Sequence, residues 1–491
     1  MCKNKKGLTY LMGLQNYSFE SKMLMAQCYS SRITGLGSIS LESIQKYCDL
    51  IIPNEIEVFT LFSILYDDPN QKNPISSRDF SKYITFIRNY WPSLFQKREN
   101  KESFPEELFM LMALQQTPSQ DSFLIKLFRY HYIFSFKNEK INVRELFIKK
   151  FGCDYINYAR FAYILSGFTS VEMQNELGKE FCNYIVSKAF TDSIVIKNLS
   201  ITKEKYKTDI LEFYKGNIED CFLGIKLQSW FPLIEDDNYT YIPSPYLSIA
   251  AVTDSLFNRL TENDNDLRSK IGKEVIEEYL YTFYSRLSNV TYITRELQYE
   301  NGKLSPDVIV GEGEECIFFD TKLKSPGLKL RQFDDKTLSK ETEIYANNIR
   351  QLYNRICDYI NGAYALDRSY DRKHIFGVSV VFDDSYLSRR KIYDLVFSLI
   401  QKDNPSISQD EFNFIHSRIK IIPLKDIENR ILRNRSILPL LKQQALNEEH
   451  WDDYQLSEEF ETDCFISDFK AFHDQLIDCV KQFGKSDPVD N

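Results

Sequence analysis

Residues 306–322 read PDVIVGEGEECIFFDTK, and the rest of the chain is best read outward from them. Two short runs rich in β-branched and aromatic residues, from Asp307 to Val310 and from Cys316 to Leu323, flank a glycine-bearing link that holds Gly311 and Gly313. That is the pattern of a β-hairpin. Asp307 opens the first strand and Asp320 closes the second. On adjacent antiparallel strands a residue near the start of one lies beside the end of its partner, so the two aspartates can face each other across the ladder. Residues 320 and 322 are two apart and leave the same face of the sheet. The run Cys316-Ile317-Phe318-Phe319 is continuously apolar, as expected of a strand buried on both sides. Asp320 and Lys322 are then charges placed where a core strand emerges. Two carboxylates and an ammonium at such a point can hold a divalent ion and set the ammonium beside its water; hard oxygen ligands suit magnesium. The plainer alternative makes Asp307 a turn residue and Asp320 and Lys322 solvated charges at a strand end.

Working outward, a long helix is expected over Leu267 to Leu287 and a strand over Val290 to Leu297. Beyond the hairpin come a helix over Lys340 to Ile360 and a strongly β-branched strand over Ile375 to Phe382. The order α-β-β-β-α-β predicts a mixed sheet flanked by helices, of the α+β or α/β class.

Pro306-Asp307, then Asp320-x-Lys322, with glutamates on the preceding helix, resembles the PD-(D/E)xK nuclease superfamily over about residues 265 to 385. The resemblance implies a restriction-endonuclease-like fold in which Asp307 and Asp320 bind magnesium, with manganese able to substitute. It implies that Lys322 assists attack of water on a phosphodiester and that the carbonyl of Thr321 adds a ligand. A helical glutamate often completes such a site. Glu274, Glu277 and Glu278 all lie on the helix, and Glu277 is chosen because Val275-Ile276-Glu277-Glu278-Tyr279 resembles the superfamily's usual helix. The helix after Lys322 is similar to one that contacts the scissile strand in exonuclease-like members, which points to Gln351 and Arg355. The chain departs from the Gln-x-x-x-Tyr pattern there, with Arg355 in the tyrosine position.

From Thr321 to Lys340 six basic residues stand against two acidic ones. Lys324, Lys329 and Arg331 are the candidates for receiving phosphates; a solvated loop without a partner is the alternative. The protein as a whole carries a net charge of −9, which argues against a chain that coats nucleic acid non-specifically. Ten scattered cysteines, with no C-x-x-C pair, and five histidines make a structural zinc site improbable, and reduced thiols in a cytoplasmic protein are expected. His374 and Cys316 are read as structural. Apolar runs are too short for a membrane span.

The remainder divides into a helical domain over residues 1–225, a nuclease-like domain over 226–430 and a C-terminal helical segment over 431–491. Seventeen glycines and fifteen prolines in 491 residues favour helices in the first part. Helices are expected there after Ser40, after Ser76, and over 106–113, 121–134, 142–151 and 155–165. The aromatic, basic stretch from Phe123 to Lys140 is read as core rather than as a stacking platform for bases. Leu227 to Leu233 and Tyr239 to Ile242 suggest a short hairpin, and the acidic run at 448–463 a solvated surface. The expected activity is metal-dependent hydrolysis of phosphodiester bonds in DNA, the helical domain selecting substrate or binding a protein partner. Superfamily members with large helical appendages look like parts of bacterial defence or mobile-element systems. A non-catalytic interaction protein on the same fold, or a nuclease acting on RNA, competes with that expectation. The oligomeric state is left open.

Overall fold

The computed structural model describes residues 5–34, 53–95, 108–110, 113–114, 122–167, 194–213, 221–222, 229–236, 239–262, 264–331, 334–446 and 465–483. The helix expected after Ser40 and the acidic run at 448–463 lie outside them, as does part of the helix expected over 106–113. The described chain is a mixture of helices with two small mixed sheets. No described helix is long and apolar enough to cross a membrane.

Two compact units form. One gathers residues 1–123, 144–262 and 475–491, the other 124–143 and 263–474. These units do not divide at the expected 225 and 430, and a strand at Ser200–Thr202 corrects the expectation of an all-helical first part. In the first unit, strand β1 (Ser200–Thr202) pairs in parallel with β2 (Leu233–Asp236), which turns back antiparallel into β3 (Tyr239–Tyr241). The hairpin anticipated near 227–242 thus belongs to this unit, with its first strand later than expected. Ile201, Ile234 and Tyr241 join the core of the N-terminal helices, beside Phe59, Phe62 and Phe80. Burial of that apolar surface holds β2 and β3 with the first unit. The helix Ser77–Phe95 starts where expected: Ser76 Oγ accepts the Asp79 N–H at 3.1 Å, an ordinary N-cap.

The second unit is built on a five-stranded sheet in the order β4 (Tyr292–Arg295), β5 (Val308–Glu312), β6 (Glu315–Lys322), β7 (Ile375–Val381), β8 (Ile419–Pro423). The first three strands form an antiparallel meander, and β7 and β8 add in parallel. The sequence reading missed β8, although Ile419-Lys420-Ile421-Ile422 carries the β-branched signal. Glu312 pairs with Glu315 around a two-residue turn, where Gly313 takes φ +62°, the left-handed conformation such turns require. Gly311 is not part of that turn. It lies within β5, where a Cβ would meet the hydroxyl of Tyr370 at 1.8 Å.

A long helix, Asp335–Ile360, makes the crossover from β6 to β7. It starts a turn earlier than expected because Asp334 caps it, accepting the Thr337 N–H at 2.8 Å. The helix before the meander runs from Asn265 to Tyr284 with a π-helical turn at Gly272–Ile276. Phe318 meets Tyr359 of the crossover helix, and its neighbour Phe319 meets Tyr284 of the earlier helix. Successive strand residues point to opposite faces, so the two helices cover opposite sides of β6. Every residue of Cys316–Asp320 is buried, as the apolar run required.

Phe469 and Phe472 pack edge-on against Phe128 within this unit. The stretch read as core from Phe123 is core: Ile125, Leu127, Phe128, Tyr130, Ile133 and Phe134 are buried. Within it, Arg129 forks onto Glu428, with Nε–Oε1 at 2.9 Å and Nη2–Oε2 at 2.5 Å, and both residues are buried. Removing one partner of such a pair strands a charge in low dielectric. Arg129→Met is therefore expected to lower stability by about 3–5 kcal/mol. The double change Arg129→Met with Glu428→Leu should recover much of that loss. Urea unfolding of the three proteins checks this; equal losses in the single and double variants would mean that the pair's charge is not what matters.

Candidate active site

The register places the expected site. Val308 pairs with Phe319, so one step further out Asp307 stands opposite Asp320. Asp307 is almost fully buried and Asp320 fully so. Thr321 ties the two strand ends together, its N–H and its hydroxyl both donating to Asp307 Oδ2, at 2.6 and 2.8 Å. The sequence reading gave Thr321 only a carbonyl role; these two donors went unnoticed because neither strand end shows from sequence which way its carboxylate turns.

Asp320 extends to the face that Phe318 shares, toward the crossover helix. There Arg355, one turn before Tyr359, donates from Nη1 to Asp320 Oδ1. Lys322 Nζ lies 2.7 Å from Asp320 Oδ2, yet that buried oxygen accepts no hydrogen bond of good geometry among the described residues. Both oxygens of Asp320 thus face a cation. The guanidinium of Arg355, expected to contact the scissile strand, is engaged with this carboxylate. Gln351, one turn earlier on the same helix, is exposed.

Of the three glutamates on the Asn265–Tyr284 helix, Glu274 is paired with Lys140 at 3.0 Å and Glu278 with Arg295 at 2.9 Å. Glu277 is the one that feels the charge of Asp307. Burial, then the charges of Asp307 and Glu296, push the Glu277 carboxyl up to about 9, against the pull of Lys273. Burial and the charge of Asp320 push Asp307 up to about 6, opposed by the Thr321 donors and the Lys322 ammonium. The helix approaches the end of β6 closely because Gly272 has no side chain: a Cβ there would stand 3.3 Å from that of Leu323. Glu277 comes from one side of the sheet and Asp320 extends to the other, with Asp307 between them at the strand end.

Among the described residues no three His, Cys, Asp or Glu side chains gather into one metal-ligating group. Magnesium is commonly held by one or two carboxylates, waters and substrate oxygens, and Asp307 with Asp320 supplies that donor set. Asp320 Oδ2 is buried and, among the described residues, faces only the Lys322 ammonium, a setting suited to a cation.

The basic segment is only partly available. Lys324 is paired with Glu341 at 2.5 Å, whereas Lys329, Lys336 and Lys340 are exposed. The side chain of Arg331 lies outside the described residues. At the opposite end of β6, His374 stands 3.4 Å from Glu315, an acidic neighbour that sequence spacing had not shown. The thiol of Cys316 is buried and pushed up by that burial, in keeping with packing. Among the described residues, Cys153, Cys221, Cys316 and Cys357 are not in disulfides. Comparison with family models, curated proteins and solved structures finds no match.

A pH dependence follows from the carboxylates. Both are raised above their ordinary values of 4.5 and 3.8. Between its unfolded and folded pKa each group holds more proton in the folded state. Its contribution to stability is present in acid and is lost as pH rises, through about 6 for Asp307 and about 9 for Glu277. In EDTA, the thermal midpoint of Glu277→Gln should therefore gain on that of the natural protein as pH increases from about 5 to about 9. Melting curves that stay parallel over this range would show that Glu277 is not under that charge pressure.

Proposed function

We propose that this protein is a metal-dependent nuclease of the PD-(D/E)xK type, with a restriction-endonuclease-like core in its second unit, hydrolysing phosphodiester bonds in DNA. One observation carries the proposal. Two buried aspartates meet at neighbouring strand ends, with Lys322 on one and the charge of Glu277 on the other. Burial and neighbouring negative charge raise the Glu277 and Asp307 carboxyls, a cost that a bound divalent ion would relieve.

Asp307 and Asp320 would hold a magnesium ion, with Glu277 reached through Asp307's side of the site. When bound, such an ion supplies Lewis acidity to a phosphoryl oxygen and lowers the pKa of a water. The chain's own contribution is positional. Thr321 fixes the Asp307 carboxylate by two hydrogen bonds. Lys322 keeps a cation where charge develops on the phosphate, held by Asp320 rather than free in solvent. The exposed lysines at 329, 336 and 340 supply positive charge beside the β6 exit, suited to a polyanion.

A non-catalytic interaction protein is the second reading, and one observation favours it: both oxygens of Asp320 already face cations. Cleavage of supercoiled plasmid and of single-stranded RNA, with magnesium or manganese, separates these readings. Asp307→Ala, Asp320→Ala and Lys322→Ala are each expected to reduce DNA cleavage by about a thousandfold or more, and EDTA to abolish it. RNA cleavage alone would change the substrate. No cleavage of either polymer, with no heat of metal binding, would support the interaction protein.

A further inference from the structure

The arginine on Asp320 has no counterpart in the metal chemistry just described. Its surroundings suggest what it does. Along one face of the sheet and helix, contacts run in step: Phe318 with Tyr359, then two strand residues and one helical turn further, Asp320 with Arg355. The Asp320 side chain is 0% exposed, that of Arg355 13% and that of Lys322 29%. The guanidinium therefore sits at the border between the core and the site mouth. Its backbone is held as well, since the Tyr364 hydroxyl donates to the Arg355 carbonyl at 3.0 Å.

A carboxylate in this position is stabilised either by the two side-chain cations or by a divalent ion. Full retention of all three would leave excess positive charge around one buried oxygen pair, which low dielectric penalises. Lys322 lies on the same strand two residues from Asp320 and has little freedom to leave. Arg355 reaches in from a separate element on a long flexible stem.

Given the divalent-ion site proposed above, on which this rests, we propose that Arg355 is a resident counter-cation that latches Asp320 in the metal-free state. A divalent ion displaces it, and the released guanidinium then engages a backbone phosphate of the substrate. Its planar fork of donors matches phosphate oxygens, and exposed Gln351 lies one turn along the same helix. Metal entry and readiness for substrate become one event: until the ion arrives, Arg355 blocks both the ligand and the phosphate contact.

The test is calorimetric titration of manganese into the metal-free natural protein, Arg355→Gln, Arg355→Lys and Asp320→Asn, with circular dichroism to verify folding. Filter binding of a DNA duplex in calcium is measured alongside. The latch requires Arg355→Gln to bind manganese about tenfold more tightly than the natural protein while its DNA affinity falls about tenfold. Arg355→Lys should be intermediate, and Asp320→Asn should lose the heat. A residue that only supports the fold would weaken metal and DNA binding together. If the natural protein binds manganese and Arg355→Gln binds it no more tightly, the latch is wrong and the metal site stands. If no protein gives heat and no metal supports cleavage, the metal site fails and the latch fails with it.

Discussion

A strand buried on both faces must hand its side chains alternately to two different neighbours, and β6 is organised by that constraint. Phe318 goes to the crossover helix and Phe319 to the helix that carries the glutamates. Antiparallel β5 lies on one edge and parallel β7 on the other. Because the strand is central in every direction, its end is where polar chemistry can first appear. Asp320 occupies that position while still fully buried. The rest of the candidate site is arranged to satisfy it.

Its electrostatics divide into two halves that meet at Asp307. On the crossover-helix side, Asp320 is flanked by Lys322 and Arg355 and is rich in compensating charge. On the other side, burial and the charges of Asp307 and Glu296 raise the Glu277 carboxyl against the pull of Lys273, while burial and Asp320 raise that of Asp307. A divalent ion would join the halves, drawing negative charge from both.

Buried ion pairs elsewhere show what the same chemistry looks like when it serves structure. Arg129 and Glu428 fork onto each other with several well-placed hydrogen bonds and little exposure. Asp384 and Arg389 form a second fully buried contact at 2.6 Å. Asp320 differs in having an oxygen that faces an ammonium without a hydrogen bond of good geometry.

The hairpin, its flanking helices and the nearness of Asp307 to Asp320 were legible in the sequence. Alternation, an apolar run and a glycine turn are local signals, and an antiparallel register converts them directly into neighbours across a ladder. Helical spacing could not separate Glu277 from Glu274, which shares its face; Glu277 was chosen by the resemblance of Val275-Ile276-Glu277-Glu278-Tyr279 to the superfamily's helix. Three things were not legible. Strand β8 and the short β1 become strands only by pairing with distant segments, and β2 and β3 join the first unit through burial against helices far away in sequence. The seat of Arg355 depends on the crossover helix running in step with β6 on the face Asp320 shares. Local residue order determines which side chains a strand end offers; only the packing of separate elements decides which of them meet, because charge and van der Waals contact act through space and not along the chain.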